Sequence, residues 1–198
     1  QNTMKICVIG TGTMAKGIVK AFAAKMPVTM KSRTQASLDK AMASIAKGYS
    51  KLVEKGKMTQ EAVDALMKNI TTTTDYATFA DADLVIEAAV EEMQLKKDVF
   101  TELDGICKPE TIFATNSSSL SITEIAACTK RPAQFIGMHF FNPADRMALV
   151  EVIRGQLTSD EVTKCVVDLS TEIGKQPVEV KEAPGFVVNR ILIPMINE

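Results

Sequence analysis

Short apolar runs of strand length recur along the chain, at Ile6 to Ile9, Val28 to Met30, Leu84 to Ile86, Thr111 to Ala114, Phe135 to Met138 and Leu149 to Ile153. Helical periodicity fills the gaps between the earlier ones, and strands that alternate with helices imply a parallel sheet buried on both faces. The fold class is therefore α/β. Between Thr34 and Lys55, the residues Leu38, Met42, Ile45, Tyr49, Leu52 and Val53 recur at spacings of three, four and seven, which predicts an amphipathic helix longer than an ordinary crossover. A second helix is predicted from Thr59, with no strand before Ile70, so the two form a helical hairpin protruding from the sheet. Ser121 with Glu124 has the form of a capping box, and Ser159, followed by Asp160 and Glu161, caps a further helix that Gly174 ends. After Pro184 and Gly185, the run Phe186, Val187, Val188, Ile191, Leu192, Met195, Ile196 reads as a helix that is still apolar at Glu198. Such a face needs cover: either the helix docks back on the sheet or, the favoured reading, residues 1–183 form one domain and 184–198 open a second whose remainder covers the helix.

Composition narrows the partners. The chain has 198 residues, of which 46% are hydrophobic and 24% charged, as in an ordinary globular protein. With 23 basic against 24 acidic residues the net charge is −1, so no global field draws nucleic acid or an anionic membrane. Tryptophan is absent and aromatics reach only 5%, which leaves little on which to stack bases. Cys7, Cys107, Cys128 and Cys165 lie far apart and read as reduced thiols. A lone histidine, His139, removes the usual zinc ligand sets, so no metal is expected. No apolar run approaches the length of about 20 residues that a membrane span needs, and no signal peptide precedes Met4. The expected compartment is the cytoplasm.

Local chemistry enters at Gly10-Thr11-Gly12-Thr13-Met14-Ala15, a G-x-G-x-x-A between a predicted strand and a predicted helix. The first glycine permits a tight turn, the second lets the backbone approach a pyrophosphate, and a small third residue lets helix and strand pack. Amides at Gly10, Gly12, Thr13 and Met14 would then meet the anion in a Rossmann-type dinucleotide site. At the end of the second strand, where an acid would accept the ribose 2′-hydroxyl of NAD, the sequence reads Lys31-Ser32-Arg33-Thr34. Ser32 and Arg33 can donate to a 2′-phosphate, so NADP is favoured and NAD remains possible, the basic turn being in that case merely solvated.

His139 ends one predicted strand, and Glu151 lies within another between Val150 and Val152. A glutamate flanked by β-formers should be paired, and if the strands are neighbours its natural partner is His139. An imidazole held by a carboxylate supplies the base near neutral pH that alcohol oxidation by a nicotinamide requires. The alternative is an ordinary strand histidine beside an edge-strand charge. Asn116-Ser117-Ser118-Ser119 follows another strand, where the ligand crevice of an open parallel sheet lies. Since Ser121 already caps a helix, the amide and hydroxyls upstream are expected to be free for a ligand, the alternative being a second loop cap.

With GTGTMA, ATNSSSLSITEIA, IGMHFFNPADRMALVEVIRG and APGFVVNRILIPMINE in this order, the chain resembles the 3-hydroxyacyl-CoA dehydrogenase family, the bacterial 3-hydroxybutyryl-CoA dehydrogenases nearest. The resemblance covers essentially the whole chain. It implies a nucleotide-binding domain followed by an all-helical C-terminal domain that supplies homodimer contacts, the chain stopping where that domain begins. It further implies His139 as the catalytic base, Glu151 as its orienting partner, Ser118 as a donor to the substrate oxygen, and Asn189 as a further active-site polar group. Glu91, Lys96 and Asn142 match positions on the nicotinamide side of the cofactor, with Asn116 beside them. The hairpin meets coenzyme A in this family. Here Lys47, Lys51 and Lys55 follow one another at i, i+4, i+8, with Ser50 and Lys57 close by, which makes Ser50, Lys51, Lys55 and Lys57 candidate substrate contacts or else a solvated face. Ala15 stands where the family usually has glycine, Ser32 and Arg33 replace its acidic corner, and Asp145-Arg146 and Ala148 replace an apolar pair and a lysine.

The reading that follows is an oxidoreductase of fatty acid and butyrate metabolism interconverting acetoacetyl-CoA and 3-hydroxybutyryl-CoA. Two others stand beside it: a segment of a multifunctional fatty-acid oxidation protein, and a non-catalytic dinucleotide-binding or oligomerisation module.

Overall fold

The computed structural model describes residues 3–89, 91–183 and 187–193, and of 183 and 187–193 the backbone alone. The chain runs β1 (Ile6–Ile9), α1 (Thr13–Ala23), β2 (Val28–Lys31), α2 (Gln35–Glu54), α3 (Gln60–Lys68), β3 (Ile70–Thr73), β4 (Leu84–Glu87), α4 (Met93–Asp104), β5 (Ile112–Thr115), α5 (Ile122–Ala126), β6 (Phe135–Phe140), β7 (Leu149–Arg154), α6 (Asp160–Glu172), β8 (Gln176–Ala183) and β9 (Val187–Ile193). Among the described residues these strands make one sheet in the order β3-β2-β1-β4-β5-β6-β7-β8-β9. Neighbours from β3 across to β6 are parallel, as the buried apolar runs require. Beyond β6 the sheet is mixed: β7 is antiparallel to β6, β8 is parallel to β7 through the α6 crossover, and β9 is antiparallel to β8.

Alternate residues of the strands feed two cores. Ile6, Val8, Ile86, Ala114, Ile136 and Val152 pack beneath α1, α2 and α6, while Cys7, Val85, Phe113, Phe135 and Ile153 pack against α4 and α5. Ser121 and Ser159 cap as their sequence signals predict, and Thr34 and Thr59 cap where helices were expected to begin. Thr34, Thr59, Ser121 and Ser159 each accept a backbone N–H in the first turn of α2, α3, α5 and α6. Gly174, at φ +85°, turns the chain out of α6.

Two elements depart from the sequence reading. Strand β8 was not expected, although Val178 and Val180 alternate with Glu179 and Lys181 in the half-buried pattern. The helix expected after Gly185 is a strand where it is described, pairing Lys181 with Ile191 and Ala183 with Val187. Val187, Val188, Ile191 and Ile193 are β-branched, and the open edge of β8 offers them backbone partners that a helix of that sequence would leave unused. Pro184 to Phe186 and residues 194–198 lie outside the described residues.

Two glycines test this packing in opposite directions. A Cβ on Gly137 would sit 2.8 Å from Ile153 Cβ, whereas one on Gly48, in α2, would meet nothing within 4 Å. Gly137→Ala should therefore cost about 1–3 kcal/mol through overpacking, and Gly48→Ala should add about 0.5–1 kcal/mol of helix stability. Urea denaturation midpoints check both, and midpoints moving in the same direction contradict the arrangement.

Candidate active site

The strand order reverses between β2-β1 and β4-β5, and a crevice of about 440 Å³ opens there at the carboxyl ends of the strands. Gly10 leaves β1 at φ +130°, its N–H donating to Lys31 O at 2.9 Å, while Ala88 N–H donates to Ile9 O at 2.9 Å. A Cβ on Gly10 would lie 3.1 Å from Ala88 O, so glycine is required by both conformation and space. Gly12 is the N-cap of α1, where no side chain caps the helix and no acid sits in the first turn. The opening amides of α1 are thus left for an anion in the crevice, and a Cβ on Gly12 would meet nothing within 4 Å, so the backbone stands open to it. Thr13 is exposed, Met14 half-buried and Ala15 buried. These features fit a dinucleotide pyrophosphate. One glycine went unnoticed in the sequence: at Gly17 a Cβ would lie 2.9 Å from Ala144 Cβ, so its absence lets the loop after β6 lie against α1.

The second half of the site is built on β6. Antiparallel pairing sets Glu151 directly opposite His139, and His139 Nδ1 lies 3.1 Å from Glu151 Oε1. The pair is largely withdrawn from water, with side-chain exposures of 17% and 8%. The Phe141 ring stands edge-on to the imidazole at 4.6 Å. With Nδ1 engaged, Nε2 is the nitrogen left to meet a reactant. Asn116 is less free than expected: its Oδ1 accepts Phe140 N–H at 2.8 Å, tying the end of β5 to β6 one residue from His139 and leaving only its amide NH₂ to donate. Ser117 and Ser119 donate to Glu91 at 3.1 and 3.4 Å, so those hydroxyls are also occupied. Ser118 is half-buried and makes no side-chain hydrogen bond among the described residues. It is the serine of the three that remains available.

Residues 5–183 match the 3-hydroxyacyl-CoA dehydrogenase, NAD binding domain. The chain belongs to the 3-hydroxyacyl-CoA dehydrogenase family. It is 57% identical over 196 residues to the 3-hydroxybutyryl-CoA dehydrogenase of Clostridioides difficile, covering 98% of this chain and 70% of that protein. The (S)-3-hydroxybutyryl-CoA dehydrogenase of Ralstonia eutropha superposes with a TM-score of 0.89 at 42% identity, covering 96% of this chain and 68% of the other. The 3-hydroxybutyryl-CoA dehydrogenase of Escherichia coli K12 also gives 0.89, at 41% identity, over 95% of this chain but only 40% of that one.

In this member of the 3-hydroxyacyl-CoA dehydrogenase family, Ser32 and Arg33 line the crevice beyond the glycine loop, and Asp98 and Glu102 reach it from α4. Those acids, distant in sequence, were not foreseen. Asn142 is exposed and shares a small cleft with Thr13, Lys16 and Asp145 at the start of α1. Asp145 pairs with Lys20 at 3.3 Å. Asn189 falls on β9, its side chain outside the description. Ser50, Lys51, Lys55 and Lys57 are all exposed, and none of them lines the crevice.

Lys96 is only 1% exposed and donates to Glu87 Oε1, which also accepts from Thr115 Oγ1 at 3.0 Å, while Glu87 Oε2 accepts Ala89 N–H at 2.7 Å. The lysine expected along the cofactor is thus committed to a buried pair beneath the crevice floor. Lys96→Met should destabilise the fold by about 3–5 kcal/mol, because a buried carboxylate loses its counter-charge, and adding Glu87→Gln should restore most of the loss. Urea unfolding of the two single variants and the double measures the coupling. Additive losses contradict it.

Proposed function

We propose that the chain catalyses the interconversion of acetoacetyl-CoA and 3-hydroxybutyryl-CoA with a nicotinamide dinucleotide. The carrying observation is the His139–Glu151 pair held at the same sheet edge as the uncapped glycine loop. A nicotinamide bound in the crevice supplies the hydride acceptor or donor. The chain's own residues do the rest. In oxidation His139 Nε2 takes the proton of the 3-hydroxyl as the C3 hydrogen departs with its electron pair. In reduction, the direction an NADP-type corner favours, protonated His139 returns that proton to the developing alkoxide. Glu151 at Nδ1 fixes the ring and stabilises the imidazolium, and Ser118 donates to the substrate oxygen. Asn116, Asn142 and Glu91 position the nicotinamide end, and Asn189 completes the polar lining. Lys51, Lys55, Lys57 and Ser50 receive the coenzyme A phosphates on the hairpin face.

The finer assignments rest on particular residues. NADP is the favoured dinucleotide because Ser32 and Arg33 follow β2 where an acid would otherwise repel a 2′-phosphate. A homodimer of the full-length protein follows from the family resemblance. The cytoplasm suits four free cysteines and described helices of which none is long and apolar enough to cross a membrane.

Steady-state turnover of acetoacetyl-CoA by the full-length protein, with NADPH and NADH compared, tests the reading, and absence of turnover with either dinucleotide contradicts it. His139→Gln should lower kcat by about 10²–10⁴-fold while leaving dinucleotide affinity unchanged. More than about a tenth of the parent activity would remove the acid/base assignment. Ser32→Asp with Arg33→Ile should move the NADPH/NADH ratio of kcat/KM by about 100-fold or more, since two charge-assisted hydrogen bonds are exchanged for an acceptor. An unchanged ratio leaves the corner a solvated turn.

A further inference from the structure

Lys31 ends β2 and is only 4% exposed, yet its ammonium makes no hydrogen bond or ion pair among the described residues. It lies 3.5 Å from the centroid of the Tyr76 ring, on the 3₁₀ turn Tyr76–Phe79 that follows β3. Every other well-buried lysine has an oxygen partner: Lys96 holds Glu87, and Lys175 donates to Ala144 O and Met147 O at 2.7 Å. Lys31 is therefore a cation taken from water with a ring face, and the longer-range attraction of Glu102 and Asp75, in place of a hydrogen-bonding partner. Its position explains what it lacks. Lys31, Arg33, Tyr76 and Glu102 line both the dinucleotide crevice and an adjoining cavity of about 640 Å³, and so form the partition between them.

We propose that Lys31, held on the Tyr76 ring, is the inner cation of a phosphomonoester subsite at the adenosine end of the crevice, and that its ligand is the 2′-phosphate of NADP. The inference deepens the NADP reading and rests on it. Ser32 and Arg33 offer the phosphate an exposed or half-buried rim, whereas Lys31 offers a charge that solvent screens least. Burial holds the Lys31 pKa below the usual lysine range, and an incoming dianion opposes that shift. Glu102 and Asp98 face the same space, but both are exposed, so water attenuates their repulsion of the phosphate. The backbone of Lys31 performs a separate task, its carbonyl accepting Gly10 N–H, and a side-chain substitution leaves that bond intact.

The test uses full-length protein and equilibrium titration of nicotinamide fluorescence with NADPH and with NADH. Lys31→Met should weaken NADPH by about 10-fold or more, the loss of one charge-assisted hydrogen bond, and NADH by less than about 3-fold. Lys31→Arg should keep most of the NADPH affinity. Equal weakening of both dinucleotides assigns Lys31 a structural role and overturns the inference, as does a Lys31→Met ratio within about 3-fold of the parent. In either case the NADP reading survives if the parent binds NADPH more tightly than NADH. A parent that binds NADH at least as tightly overturns that reading and the inference with it.

Discussion

A parallel ladder holds its strands at fixed relative heights, and here one transverse row runs Lys31, Ile9, Glu87, Thr115, Gly137 and Ile153 across β2, β1, β4, β5, β6 and β7. The glycine loop, the Ser32-Arg33 corner and the His139–Glu151 pair sit on that row or just beyond it. Gly10, Ala88 and Asn116 are the first residues after β1, β4 and β5, and His139 is two past Gly137. The row is stitched by more than the ladder: Gly10 N–H reaches Lys31 O, Ala88 N–H reaches Ile9 O, and Asn116 N–H reaches Glu87 O. The Glu87 carboxylate adds Lys96 and Thr115 to the same seam. A shift of one residue in any of these strands would turn its side chains to the opposite core and carry its loop out of the crevice.

The reversal of direction at β7 makes the second half of the site possible. A parallel β7 would carry Glu151 in from the far end of the sheet, whereas the antiparallel pair brings it opposite His139 with Nδ1 facing the carboxylate. The price in flexibility falls on the neighbouring glycine: Gly137 must lack a side chain because Ile153 occupies that space. In the proposed reaction, hydride chemistry and proton chemistry thus belong to different strands of one sheet, the first beside β1 and β4, the second on β6 and β7.

Much of this is legible in the residues. The apolar runs announce β1, β2 and β4 to β7 because strands buried on both faces carry little else, and Thr34, Thr59, Ser121 and Ser159 announce helices because a cap is a local interaction. The strand after Gly185 was misread because an apolar run without strict period does not distinguish helix from strand, and the decision there lies with the open edge of β8. The free hydroxyls expected in Ser117 and Ser119 are occupied by Glu91, which is remote in sequence and adjacent only after β4 and β5 align. For the same reason no local pattern reveals Lys31 against Tyr76, or Glu102 facing Arg33. Pairs of that kind are set by where α4 and the turn after β3 are carried by the sheet.

The central claim is that this edge transfers a hydride between a dinucleotide and C3 of an acyl-CoA while His139 moves the proton. It is tested most directly by isotope transfer. Full-length protein is incubated with acetoacetyl-CoA and reduced dinucleotide carrying deuterium at both nicotinamide C4 positions, and the product is analysed by mass spectrometry. The account predicts 3-hydroxybutyryl-CoA with one deuterium, bonded to C3, and none on oxygen after exchange into light water. Product without deuterium at C3, or no 3-hydroxybutyryl-CoA at all, would contradict it.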